Sequence, residues 1–366
     1  MSVCLSPNGP ISHQGDALPT RVWVATTDGV ACLERVSDGA PWRLAGRSLG
    51  GHHIGSLLFE PTHGALYAGA HSGGLFRSTD GGASWERRTD GLTIPHVFSL
   101  GTVATPRGVT LYAGTEPVSL FRSDDEGRSW RELPAIGRVP GTEKWTFPPP
   151  PHIAHTKSFC FDPRDADTFY AAVEQGALLK TTDGGRSWRE LASYYRPEDR
   201  WYRDIHRVVM APSDPDKLYM TTGMGLYASA DAGESWEQLT ELTFRIGYPD
   251  HLVISPADER VMFMSGAGED PSAWRTTRKA RGTAMRSRDG GRSWQPADRG
   301  LHQSERPNIE AMCLASHPGG FALFAANTDG EVYCSEDGAE SWTRIAVGLA
   351  PISKVGHYRN VQTATA

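Results

Sequence analysis

Apolar residues in this chain come in short bursts broken by Gly, Pro, Asp or Ser, with no long run at helical spacing. Residues 54 to 89 show the unit most clearly: "IGSLLFEP", "ALYAGAH", "GLFRSTD" and "SWERRT" read as four brief strands joined by tight turns. The same quartet returns along the sequence, so the pattern predicts an all-β array of repeated four-stranded sheets. Composition fits many short strands and turns, with 39% hydrophobic residues, 40 Gly and 25 Pro in 366 residues.

The repeats share a nonapeptide between the third and fourth strands. It reads "RSTDGGASW" at 77, "RSDDEGRSW" at 122, "KTTDGGRSW" at 180, "ASADAGESW" at 228, "RSRDGGRSW" at 286 and "CSEDGAESW" at 334. The closing tryptophans, Trp85, Trp130, Trp188, Trp236, Trp294 and Trp342, stand 45, 58, 48, 58 and 48 residues apart, which is the spacing of propeller blades. Each Asp can accept main-chain N–H bonds within its turn, and the glycines tolerate positive φ. The motif is therefore read as structural. If fully buried, each indole contributes on the order of 4–6 kcal/mol as an upper bound. In the last copy Ala339 stands where the others carry Gly.

This S/T-x-D-x-G-x-S/T-W pattern resembles the Asp-box of the BNR-repeat propellers, a superfamily that includes sialidases, xyloglucan-cleaving enzymes and the photosystem II assembly factor. The resemblance covers residues 21 to 364 and implies a fold rather than an activity. The expected fold is a seven-bladed β-propeller closed by the C-terminal strand joining the N-terminal blade. Residues 1–20 are an N-terminal extension, and a single propeller follows over 21–364. Blade 1 is expected from 21–46 plus 355–364, and the others at 53–92, 96–133, 155–192, 204–240, 250–298 and 308–347.

A net charge of −6 argues against nucleic-acid and membrane partners. Five cysteines without a CxxC pair, and an N-terminus without a basic start and apolar run, point to a cytoplasmic protein. A closed ring makes a monomer the default and leaves a homodimer open.

Candidate chemistry lies opposite the repeated turns. The strands that open the units begin with or soon reach a histidine: His53, His96, His155, His206, His251 and, in the C-terminal tail, His357. Blade 7 carries Asn308 there, with Glu310 two residues on and on the same face. Six imidazoles at one channel mouth predict a site for a divalent transition metal (Fe, Zn, Cu or Mn). Glu310, Tyr248 and Asp204 are candidate catalytic residues, while Trp145, Phe147, Tyr202, Arg203, Arg245 and Asn308 are candidate contacts for a small-molecule substrate. The expected function is a metal-dependent enzyme, a lyase or hydrolase rather than an oxygenase, acting on a small organic molecule. The alternatives are a glycoside hydrolase or carbohydrate-binding propeller, drawing its carboxylate pair from Glu143, Asp204, Asp250 and Glu310, and a non-enzymatic assembly scaffold.

Overall fold

The computed structural model describes residues 1–199, 203–240, 244–302 and 304–362. Seven sheets follow one another along the chain, six of four strands and one of five, and they make a seven-bladed β-propeller. Blade 1 comprises Ser2–Leu5, Arg21–Thr26, Gly29–Glu34 and Arg43–Ser48; blade 2 begins at Ile54–Glu60, blade 3 at Val97–Thr105 and blade 4 at His155–Phe161. Blade 5 begins at Ile205–Met210, blade 6 at Tyr248–Ile254, and blade 7 runs from Ile309–His317 to Thr343–Ala346. The chain divides into two compact units, residues 1–59 with 241–366 and residues 60–240.

The two ends of the chain enter the sheets differently from the expectation. Strand Ser2–Leu5 lies parallel to Arg21–Thr26, with Val3 opposite Val22, and takes the first position of blade 1. Strand Ser12–Gln14 lies parallel to the first strand of blade 7, with Ser12 opposite Leu314, so the N-terminal segment and the last blade share a sheet. Residues 1–20 are therefore part of the propeller. The tail expected to fill blade 1, 355–364, forms turns and the short helix Tyr358–Val361 in its described part. The physical reason is apolarity: Val3, Cys4 and Leu5 are fully buried, whereas "GHYRN" offers polar groups on both faces of any strand it might form.

Packing between neighbouring sheets supplies the core. In the 60–240 unit, Tyr112, Leu120 and Leu133 pack on Phe169, Ala171, Val173 and Leu179. In the other unit, Val3, Leu5 and Val24 pack on Ala311, Cys313 and Phe324.

The repeated turns share one geometry. Asp80 accepts from the Ser84 N–H at 2.9 Å, the Ser84 hydroxyl and the Ser78 hydroxyl at 2.8 Å, and the same contacts recur at Asp125, Asp183, Asp231, Asp289 and Asp337. These bonds hold the Asp80, Asp231 and Asp289 carboxyls down at about 2. Five of the six tryptophans divide into two kinds. Trp130 and Trp342 are buried and donate to the preceding blade, to the carbonyls of Arg88 and Ala297. Trp85, Trp236 and Trp294 are half-buried and donate to glycine carbonyls of their own turns, so the full-burial energy belongs to two of the six. Ala339 sits at φ 61°, in the region its glycine counterparts occupy freely.

Candidate functional site

Two buried polar clusters stand on the opening strands of the blades, one in each unit. The first, in the 60–240 unit, centres on Glu174. His155 opens blade 4 and pairs with Glu174 across the ladder, and Lys157 reaches the same carboxylate past an irregularity in the strand. The His155 Nε2–Glu174 Oε2 hydrogen bond is 2.7 Å, and Lys157 Nζ donates to Oε1 at 2.6 Å. From blade 5, His206 Nε2 lies 3.9 Å from Glu174 Oε1 and 3.4 Å from Asp204 Oδ2. His155 Nδ1 is 3.5 Å from Glu116 Oε2, and its ring is stacked on Phe98 at 3.8 Å and met edge-on by Phe147 at 4.8 Å. His155, Glu174 and His206 have no exposed surface.

The second cluster, in the unit formed by 1–59 and 241–366, joins blades 6 and 7 to the C-terminal segment. Asp250 accepts from Asn308 Nδ2 at 3.0 Å and from Lys354 Nζ. Glu310 Oε2 accepts from the Ser353 hydroxyl at 2.8 Å and the Lys354 N–H at 2.9 Å, with His357 Nδ1 3.9 Å from its other oxygen. The Lys354 ammonium lies 5.2 Å from the centre of the Tyr248 ring, a cation–π contact. Burial, opposed by Lys354 and reinforced by Asp250, pushes the Glu310 carboxyl up to about 7. The Lys354 ammonium and the Asn308 amide favour the ionised form of Asp250. Burial thus favours the protonated form of Glu310, while Lys354 and Asn308 both bond its neighbour Asp250.

The six predicted histidines divide three and three between the units. His155 and His206 are drawn to one carboxylate. His53 Nε2 donates to the Ser353 carbonyl at 2.8 Å and His251 Nε2 to the Pro7 carbonyl at 3.1 Å, so one nitrogen of each ring is turned to the main chain. His357 precedes the helix Tyr358–Val361 beside Glu310, and His96 forms a bridge with His71.

Of the predicted substrate contacts, Phe147 is buried against His155 and Trp145 packs beside the core of blades 3 and 4. Arg203 pairs with Glu190 and lies over Tyr195, and Arg245 pairs with Asp298. Tyr248 and Asn308 belong to the second cluster, and Tyr202 lies outside the described residues. Sequence reasoning missed Lys157, Glu174, Ser353 and Lys354. A lone acid closing the apolar strand "FYAAVE" was the available signal for Glu174.

No protein-family model matches the chain. It is 25% identical over 134 residues to xyloglucanase Xgh74A of Acetivibrio thermocellus, an alignment covering 32% of this chain and 16% of that enzyme. A xyloglucanase of a Paenibacillus species aligns equally well, over 13% of its length. Among solved structures, an ancestral GH74 enzyme superposes with a TM-score of 0.61 at 17% identity, over 80% of this chain and 38% of its own. YCF48 from Cyanidioschyzon merolae superposes with a TM-score of 0.56 at 18% identity, over 88% and 94%. The protein has the seven-bladed β-propeller fold that these structures share. Its curated relatives are xyloglucanases, and it spans less than a fifth of their length in alignment.

Proposed function

We propose that this propeller is a carbohydrate-directed hydrolase acting on a polysaccharide of the xyloglucan type, with Glu310 as proton donor and Asp250 as the ionised carboxylate. The reading rests on the contrast between two carboxyl groups of one cluster, Glu310 fully buried and pushed up to about 7 and Asp250 bonded by Lys354 and Asn308. Glycoside hydrolysis requires that pairing: an acid to protonate the departing oxygen and a carboxylate to act at the anomeric carbon or on a water. Similarity to xyloglucanases supplies the substrate class. Asn308 orients Asp250, and Tyr248 carries the Lys354 ammonium.

In the resting arrangement Ser353 and Lys354 cover both carboxyl groups, and Lys354 is 1% exposed. A glycan reaches the pair when that segment withdraws, which also removes the ammonium from Asp250. A second reading, carbohydrate binding without turnover, is favoured by this same burial. Both are tested by incubating purified protein with xyloglucan and mixed-linkage β-glucan and measuring bound polysaccharide and new reducing ends. The hydrolase reading expects turnover that falls at least about 100-fold in Glu310→Gln and Asp250→Asn. Retention of polysaccharide without new reducing ends supports the second reading, and neither binding nor turnover overturns both.

A further inference from the structure

We propose that Glu174, Asp204 and His206 form a binding site for one divalent transition-metal ion, with His155 fixing the orientation of Glu174. The site lies in the 60–240 unit and goes beyond the hydrolase reading, which rests on residues of the other unit.

The geometry is that of donors gathered around a point. One ligand atom from each of the three residues lies within 4.8 Å of the other two, the one such grouping of His, Cys, Asp and Glu among the described residues. The His206 Nε2 separations of 3.4 Å from Asp204 and 3.9 Å from Glu174 suit ligands that each stand about 2 Å from a common ion. Two strands of adjacent blades position them: Glu174 ends the second strand of blade 4, His206 lies in the first strand of blade 5 and Asp204 immediately precedes that strand. Strands fix donors more rigidly than loops do.

Charge supports the assignment. Glu174 and Asp204 are both buried carboxylates, the Lys157 ammonium bonds Glu174, and Glu116 adds a third carboxylate 3.5 Å from His155. Surplus negative charge in a buried site is costly unless a cation joins it. One imidazole and two carboxylates suit Zn(II), Mn(II), Fe(II) or Co(II), and the absence of thiolate argues against Cu(I).

A second observation is independent of the acidic pair. His155 is fully buried, bonds the Glu174 oxygen that faces away from Lys157, and makes no hydrogen bond through Nδ1. A histidine holding a ligand carboxylate in this way is the kind of outer partner that metal centres use to orient their ligands. Glu116, 3.5 Å from His155 Nδ1, has a side chain that is 20% exposed.

Lys157 makes the proposal discriminating. Its ammonium shares Glu174 Oε1 with the incoming ion, so the two cations repel. Removing that charge, as in Lys157→Met, must strengthen metal binding, whereas a purely structural charge network gives no such gain.

The test uses the full chain without a histidine tag, stripped with chelator and titrated with Zn(II) by equilibrium dialysis, with Co(II) absorption as a spectroscopic readout. One Zn(II) per chain is expected, with affinity lowered at least about 100-fold in His206→Gln and Asp204→Asn and about 10- to 100-fold in His155→Phe. Affinity rises in Lys157→Met, and His251→Gln in the other unit leaves binding unchanged. Far-ultraviolet circular dichroism of each stripped variant confirms that it is folded. Less than a tenth of an equivalent bound by wild type overturns the proposal, as does stoichiometric binding indifferent to His206→Gln and Asp204→Asn. These outcomes leave the polysaccharide assay unaffected, so the two readings fail separately.

Discussion

Replacing Glu310 by Gln alters how stability depends on pH, by an amount the structure fixes. Glu310 is fully buried, its carboxyl is pushed from 4.5 up to about 7, and the Gln amide is nearly isosteric, with its carbonyl able to accept from Ser353 and Lys354 as the carboxylate does. Between pH 4.5 and 7 the folded chain holds a proton at Glu310 that the unfolded chain has released. Stability from this group is therefore full below 4.5 and is lost as pH rises towards 7. The interval corresponds to about 3 kcal/mol, at roughly 1.4 kcal/mol per pH unit. His13, His53 and His302, whose pKa values burial lowers, act with the opposite sign, stabilising more as pH rises. The difference between wild type and Glu310→Gln cancels their effect. For a chain of this length, 3 kcal/mol moves the melting temperature by about 4 °C. Melting should be followed from pH 4.5 to 8 for both proteins. The expected result is that Glu310→Gln gains about 4 °C on wild type across that range; parallel curves refute the reasoning.

Lys354→Met removes the ammonium bonded to buried Asp250 and should cost about 3–5 kcal/mol in chemical denaturation, with most of it recovered in Lys354→Met/Asp250→Asn. Trp342→Ala, which empties a buried site between blades 6 and 7, should cost about 3–5 kcal/mol, clearly more than Trp85→Ala at a half-buried turn. Acid unfolding should steepen below pH 4: the turn carboxyls of Asp80, Asp231 and Asp289, held at about 2, contribute stability above their unfolded values near 3.8 that disappears as pH falls. A Ser78→Ala variant, which loses bonds to both Asp80 and Gly82, should unfold at higher pH than wild type.

The blades were legible because their signals are local. A turn such as Ser78–Trp85 closes on itself through Asp80 and repeats at readable intervals, so the sequence spacing maps directly onto sheets. Polar residues at the openings of the blades were legible too, since Asp204, His206, Asn308 and Glu310 interrupt apolar strands. Closure of the ring was harder to see. Ser2–Leu5 pairs in parallel with Arg21–Thr26 across a long connection that leaves no turn signature. The partners that give each cluster its chemistry come from distant segments. Lys354 meets Asp250 across 104 residues, and Glu174 meets His155 from the neighbouring strand. A row of histidines told where polar groups gather, but carboxylates and lysines decide what each gathering can do.

The proposed hydrolase chemistry depends on Glu310 holding its proton more tightly than Asp250 does. Carboxyl carbon-13 NMR of labelled protein measures this directly, with resonances assigned by difference from Glu310→Gln and Asp250→Asn. The expected result is a Glu310 carboxyl that titrates close to 7, apart from that of Asp250. A Glu310 carboxyl that titrates near 4.5, together with its neighbour, contradicts it.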